Sequence, residues 1–287
     1  MQILVTGYKG QLGSEIQKLA PETDHDFIFT DIDELDICNE TEVDNFFNKN
    51  DPDLVINCAA YTAVDKAESE IDKALLLNAT APRILAENCR NRQAILFHIS
   101  TDFVFSGQNC TPYTEQDPTA PVNVYGQTKL EGENQILKEN PRSIIFRTSW
   151  LYSSFGNNFV KTMLRLAKER DKLNVIYDQV GTPTYANDLA RSIIQILDYF
   201  SSKPVREGLW GIYHYSNEGV ASWYDFACEI FENQNLTMEV TPVRSREYPT
   251  PAARPFFSVL DKYKFKSTFN QVIPHWKESL KKCLELL

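Results

Sequence analysis

The chain has 287 residues, 43% of them hydrophobic, and a formal net charge of −10. That is ample material for one large or two modest domains, and the acidic balance argues against a nucleic-acid surface. No stretch reaches the roughly 18 apolar residues of a membrane helix. The six cysteines, Cys38, Cys58, Cys89, Cys110, Cys228 and Cys283, form no Cys-x-x-Cys pair, so neither a zinc site nor a redox motif is expected. With a strand in place of an export leader at the N-terminus, they predict a reducing, cytoplasmic setting.

Met1 to Thr6 reads as a short buried strand. Gly7-Tyr-Lys-Gly10-Gln-Leu-Gly13 follows at once, and Leu12, Ile16 and Leu19 then recur at helical spacing. Strand, glycine turn and helix form the phosphate-binding opening of a dinucleotide fold. Gly7 is expected to permit the turn, Gly10 to let backbone approach a pyrophosphate, and Gly13 to let the helix lie close on the strand. The helix N-terminus offers N–H groups to the anion.

Asp26 to Thr30 reads as a second strand ending at Asp31, placed to bond a ribose hydroxyl. Asp31 suits NAD, whereas Lys9 in the glycine turn suits a 2′-phosphate, so both cofactors stay open. Asp36, in Leu35-Asp-Ile37, is a candidate for the adenine edge. A helix is expected from Glu40 to Lys49 and a third strand from Asp53 to Ala60. The small residues at that strand's end, Ala59 and Ala60, leave room for a cofactor to cross the sheet edge. One or two helices fill Ala67 to Cys89, with Pro82 starting a new turn or kinking the run.

Ala94 to Ser100 is a fourth buried strand, with Thr101 and Asp102 at its carboxyl end and His98 read as a packed core residue. A proline-rich loop over 106–121 precedes a helix from Val124 to Glu139, stopped by Asn140-Pro141. Ser143 to Thr148 is another strand. The alternation predicts an α/β fold with a doubly wound, mainly parallel sheet. Beyond Trp150 the pattern loosens. Helices are expected at Asn158–Lys168, Ala186–Phe200, Trp223–Glu232 and His275–Leu286, with strands at Leu173–Tyr177 and Gly208–Ser216. A proline-rich loop surrounds Arg254.

Tyr125 and Lys129 stand four apart in one predicted helix, hence on one face. An unperturbed phenol has a pKa near 10, and a neighbouring cation favours the phenolate. The pair therefore suits proton exchange with a carbonyl or hydroxyl. Thr101 is placed to bond the same oxygen, and Ser100 shares that option.

These residues make the chain resemble the extended short-chain dehydrogenase/reductases, and within them the dTDP-4-dehydrorhamnose reductases. The resemblance runs over essentially the whole length. It rests on Val5-Thr-Gly-Tyr-Lys-Gly-Gln-Leu-Gly13, Asn57-Cys-Ala-Ala-Tyr-Thr-Ala-Val-Asp-Lys-Ala-Glu68, Ser100-Thr-Asp-Phe-Val-Phe105, Tyr125-Gly-Gln-Thr-Lys129, Arg147-Thr-Ser-Trp150, Gly181-Thr-Pro-Thr184 and Ala253-Arg-Pro255. It implies a Rossmann-type domain over 1–150, joined by parts of 176–201, and a smaller, interleaved substrate domain over 151–287. It implies NADPH or NADH as cofactor and reduction of the C4 keto group of dTDP-4-dehydro-L-rhamnose. Tyr125 would be the proton donor, Lys129 would tune it and bind ribose, and Thr101 would hold the carbonyl. The cofactor side would comprise Gly7, Gly10, Gln11, Leu12, Gly13, Asp31, Asp36, Ile37, Ala59, Ala60 and Tyr61, with Tyr125 and Lys129. The substrate side would comprise Thr62, Val64, Thr101, Asp102, Phe103, Tyr125, Trp150 and Arg254, the last for the diphosphate.

Two departures stand out. Phe103 occupies a position where many members carry Tyr. Some members bind magnesium at a dimer interface, but Asn187 replaces a carboxylate that would join Glu15. No interfacial metal is therefore expected, and the chain is predicted to be a monomer or weak homodimer that binds a nucleotide sugar and neither nucleic acid nor membrane. Two alternatives remain. One is an epimerase or dehydratase on another nucleotide sugar, although Asp102-Phe103 supplies one carboxylate where a dehydratase usually has an acidic pair. The other is a non-catalytic subunit similar to the regulatory subunit of methionine adenosyltransferase, which would not need Tyr125 and Lys129.

Overall fold

The computed structural model describes residues 1–140, 142–202 and 208–287. The chain opens with β1 (Gln2–Thr6), α1 (Gln11–Leu19), β2 (Asp26–Thr30), α2 (Glu40–Asn50) and β3 (Leu54–Asn57). Two short helices, α3 (Val64–Ala67) and α4 (Ile71–Leu75), lead through a π-helical turn at Leu76–Thr80 into α5 (Ala81–Arg92), with Pro82 in its first turn. Then come β4 (Ile95–Thr101), α6 (Val124–Glu139) and β5 (Ser143–Thr148). Asn140 caps α6; Pro141, the other half of the expected stop, lies outside the described residues.

The remaining elements are β6 (Leu151–Tyr152), α7 (Phe159–Glu169), β7 (Lys172–Ile176), β8 (Val180–Gly181), β9 (Thr184–Tyr185) and α8 (Ala186–Ser202). They continue with β10 (Gly211–His214), β11 (Ala221–Ser222), α9 (Trp223–Asn233), β12 (Glu239–Val243), α10 (Tyr263–Phe269) and α11 (Trp276–Leu284).

Six strands form one sheet in the order β10-β5-β4-β3-β1-β2, every pair parallel. Alternation divides its side chains between two buried layers. Ile3 and Val5 point to one face with Ile16 of α1 and Ile193 of α8; Leu4 points to the other with Val43 of α2 and Leu85 of α5. Strand order reverses between β1 and β3, and ligands bind beyond the carboxyl ends of strands at such a point.

The chain leaves the sheet after β5, returns through α8 and β10, and leaves again. The strand expected near 208–216 thus lies in the large sheet, where Gly211 pairs with Ile144. A separate apolar cluster unites Tyr152, Val160, Leu173, Phe226, Ile230, Trp276 and Leu280. Within it β12 pairs parallel with β7. Neither β12 nor α10 was expected. Pro242 interrupts the first as a strand signal, and α10 buries one side chain, Phe265. No described helix is long and apolar enough to cross a membrane.

Helix α6 packs tightly on the π-turn. A Cβ at Gly132 would fall 2.1 Å from the Asn78 carbonyl oxygen. Alanine gains roughly 0.5–1 kcal/mol over glycine inside a helix, but overpacking against backbone costs about 1–3 kcal/mol. Gly132→Ala is therefore expected to lower the urea midpoint at unchanged slope; a raised midpoint would contradict this packing.

Candidate active site

The switch-point crevice is lined by Gly7, Gly10, Asp31, Asp36, Ile37, Ala59 and Ala60, with Thr6, Ile32, Leu35, Cys58 and Leu77. Gly7 has φ +69°, and a Cβ there would lie 2.6 Å from the Ala59 nitrogen. The two loops at the reversal thus touch through a position only glycine fills. Gln11, Leu12 and Gly13 lie deeper. The Leu12 side chain is in the core, and Gln11 bonds the Leu151 carbonyl oxygen and Asn158. Their side chains turn away from the crevice, so an anion here would meet first-turn N–H groups. Gly13 packs on the turn itself, at Tyr8 and the Gly7 carbonyl, rather than on the strand as expected.

Asp31 accepts from the backbone N–H groups of Lys9 and Ile32, at 3.2 and 2.9 Å. The Lys9 ammonium, considered for a 2′-phosphate, is paired with Asp33 at 2.7 Å. Tyr61 is fixed through its backbone: the Asn78 side chain accepts from its N–H and donates to its carbonyl. The Tyr61 ring joins Val64, Phe103 and Tyr125 in a small apolar cluster, while Thr62 is exposed.

Asn123 starts α6, its Oδ1 accepting from the Gly126 N–H at 2.8 Å and its Nδ2 donating to the Ala253 carbonyl at 2.7 Å. Two residues on, Tyr125 is buried with its ring edge-on to Phe103, centroids 5.6 Å apart. Burial pushes its phenol up to about 12; a bond with the Thr101 hydroxyl works against this, and Asp102 adds to it. The lowering expected from Lys129 is not seen: desolvation is the largest cause, and the bond with Thr101 is what opposes it. Asp102 is buried too, and desolvation raises its carboxyl to about 6 against bonds from Ser258 and Thr101. Lys129 is 1% exposed. Its Nζ donates to the Ile99 carbonyl at 2.6 Å, and burial lowers it to about 8 against the pull of Glu133 and Cys58. His98 is buried as expected, yet its ring nitrogens meet Asn57 and Lys129, a link that strand alternation does not reveal.

A second cavity, of ≈ 780 Å³, opens beside Phe103 between the sheet edge and the C-terminal cluster. Trp150, Phe159, Trp223, Asp65 and Arg254 line it, with Arg170 and Lys172 among its cations. Trp150 has φ +47°, a genuine outlier for a bulky residue. Several contacts hold it there. Its carbonyl accepts from the Thr184 N–H at 3.1 Å, and its ring stacks on Trp223 at 3.5 Å and 7°. Gly181 leaves room for that ring, since a Cβ there would fall 2.7 Å from it. The Gly181–Thr184 motif thus helps to seat Trp150. Trp223 and Asp65 are not among the expected site residues; an aromatic at a helix start and one acid in a four-residue helix carry no local signal.

Arg254, the candidate for the diphosphate, makes a two-pronged bond to Asp65 at 2.9 and 2.8 Å and donates to the Ala252 carbonyl. The guanidinium holds the Asp65 carboxyl below its usual range. An anion at Arg254 must share it with Asp65. Glu15 is buried, one carboxylate oxygen accepting from Ser153 at 2.6 Å and the other from Asn187 at 2.9 Å. No group of three or more His, Cys, Asp or Glu side chains that could hold a metal occurs among the described residues.

The family profile described as RmlD substrate binding domain matches residues 1–287. The chain belongs to this family. Relatives of the family match over nearly their full length. The dTDP-4-dehydrorhamnose reductase of Shigella flexneri is 43% identical, covering 100% of this chain and 98% of its own. A crystal structure of a dTDP-4-dehydrorhamnose reductase from Clostridium acetobutylicum superposes with TM-score 0.94 at 46% identity, covering 100% of this chain and 99% of that one. The dTDP-4-dehydrorhamnose reductase of Bacillus anthracis, solved in complex with NADP, gives 0.93 at 39%, with the same coverage.

Between α6 and β5, Arg147 and Glu133 form a buried pair at 2.6 Å, 3% and 1% exposed, with Ser100 donating to Glu133. Removing one partner of such a pair strands the other charge and costs about 3–5 kcal/mol. Glu133→Gln is expected to lose that much in urea unfolding. A loss below about 1 kcal/mol would mean that the pair does not hold α6 to β5.

Proposed function

We propose that this chain reduces the C4 keto group of dTDP-4-dehydro-L-rhamnose to give dTDP-L-rhamnose, using NADPH or NADH. One observation carries the reading. Tyr125, a buried acid, rests its ring on Phe103 of the large cavity, and Lys129, one turn on, lies by Cys58 of the switch-point crevice. The crevice suits a dinucleotide and the larger cavity a nucleotide sugar. Full-length similarity to reductases named for this substrate supports the assignment, and NADP in one of them supports the cofactor class.

When bound, the nicotinamide supplies the hydride. Gly7, Gly10, Asp31, Asp36, Ile37, Ala59 and Ala60 would hold it, with N–H groups of Gln11, Leu12 and Gly13 at the pyrophosphate and Tyr61 beside it. Tyr125 keeps its proton because burial disfavours the phenolate. That proton is available to the alkoxide formed at C4. Thr101 and Asp102 bond the reacting end of the sugar, and Phe103, Thr62, Val64 and Trp150 wall it. Lys129 as the ammonium bonds a ribose hydroxyl and stabilises the phenolate left after transfer. Arg254, with Asp65, faces the diphosphate. In this reading residues 1–150 with the returning α8 and β10 form the cofactor domain, and most of the remainder closes over the sugar nucleotide. The protein acts in the cytoplasm and is a monomer or weak homodimer; Glu15, whose oxygens already accept from Ser153 and Asn187, supports the absence of an interfacial metal.

Purified protein, either cofactor and freshly made dTDP-4-dehydro-L-rhamnose should give a substrate-dependent loss of nicotinamide absorbance. General acid catalysis contributes about 10²–10⁴-fold, so Tyr125→Phe should lower kcat by at least about a hundredfold. For wild type, kcat/KM should fall above about pH 8, where the free protein loses the Lys129 ammonium. No oxidation with either cofactor, in folded protein that binds one of them, would remove the rhamnose assignment.

A further inference from the structure

Lys129 is held by more than its own helix. His98 of β4 lies 3.2 Å away through Nε2, and its Nδ1 is 3.1 Å from the Asn57 amide nitrogen at the end of β3. All three side chains are at most 1% exposed, so their hydrogen bonds must be satisfied within the protein.

The donors and acceptors can be assigned from outside inwards. Asn57 Oδ1 accepts from the Ala59 backbone N–H at 3.1 Å and from the Thr6 hydroxyl at 2.8 Å. A backbone N–H only donates, so the atom facing it must be the oxygen, and the amide cannot be turned without stranding that donor. Asn57 Nδ2 therefore donates to His98 Nδ1, which must offer its lone pair. A neutral imidazole carries one proton, and here it belongs on Nε2. That N–H is aimed at Lys129 Nζ. An ammonium has donors alone, so it would meet the His98 proton head-on. A neutral amine accepts it and still donates to the Ile99 carbonyl.

We propose that His98 is a positioning residue for Lys129: Asn57 fixes its tautomer, and the Nε2 proton so placed opposes the Lys129 ammonium in the free enzyme. The charge on Lys129 is thereby tied to Asn57, the residue that also pins Ala59 in the switch-point crevice. The proposal rests on the reading of Tyr125 and Lys129 as acid and cation.

The surrounding charges do not replace this link. Cys58 beyond β3 and Glu133 on the next turn of α6 both favour the ammonium. Glu133 is itself taken up by Arg147 of β5 and by Ser100. Tyr125, on the preceding turn, is kept neutral by burial. His98 is driven strongly toward its neutral form, first by burial and then by Lys129.

The test uses intact enzyme with ¹⁵N-labelled histidine; the chain has four histidines, and His98→Gln assigns the signal by its loss. Long-range ¹H–¹⁵N spectra of wild type should show His98 protonated on Nε2. Asn57→Asp puts an acceptor against Nδ1 and should move the proton there, freeing Nε2 to accept from the ammonium. Its alkaline limb in kcat/KM should then rise by about one pH unit, a tenfold change in the Lys129 proton affinity. In His98→Gln, which adds no charge, the side-chain oxygen can face Nζ and the limb should rise similarly. A wild-type proton on Nδ1 would overturn the proposal. So would an unmoved limb in both variants. A rise in Asn57→Asp alone would also overturn it, because the added charge would then act directly. Wild type that shows the Nε2 tautomer but oxidises no cofactor would leave the His98 link standing and remove the reductase reading instead.

Discussion

Exclusion of water from the carboxyl end of β4 is the constraint on which the site depends. Tyr125 is raised, Asp102 is raised and Lys129 is lowered, each with burial as the largest cause. Ion pairing would move the last two the other way, the carboxyl down and the ammonium up. The three shifts therefore share one origin: the site favours neutral forms. A phenol in such a place is a proton donor first. It gains its cation's help only when charge develops beside it, which suits the protonation of an alkoxide.

The fold produces this dryness by stacking supports. Strand β4 lies inside the sheet between β3 and β5, and α6 covers its end. Glu133, Arg147 and Ser100 close the back, and the Phe103 ring closes the front. On the open side the seating of Trp150 depends on distant segments. Its strained backbone is held by β9 and its ring by Trp223. The chain's two excursions from the sheet thus bring the walls of the large cavity to the acid.

How much of this was legible in the sequence follows from distance along the chain. The glycine turn, the Tyr125–Lys129 spacing and nearly all sheet strands declare themselves within windows of a few residues, because periodicity and turn chemistry are local. The same rule explains what stayed hidden. Asp65 meets Arg254 across 189 positions, Asn57 meets His98 across 41, and Trp150 stacks on Trp223 of a different segment. None of these pairs has a local signature. The Tyr125–Lys129 spacing predicts a lowered phenol, but spacing says nothing about desolvation, which sets the direction of the shift.

The most direct measurement is a titration of Tyr125 itself. Protein carrying ¹³Cζ-labelled tyrosine, with Tyr125→Phe to identify the signal, would be followed by NMR from neutral to alkaline pH without cofactor. The account predicts that Tyr125 remains the neutral phenol past the ordinary value near 10 and ionises only toward about 12. A phenolate already formed near pH 7 would contradict it, because charge from Lys129, and not burial, would then govern the site.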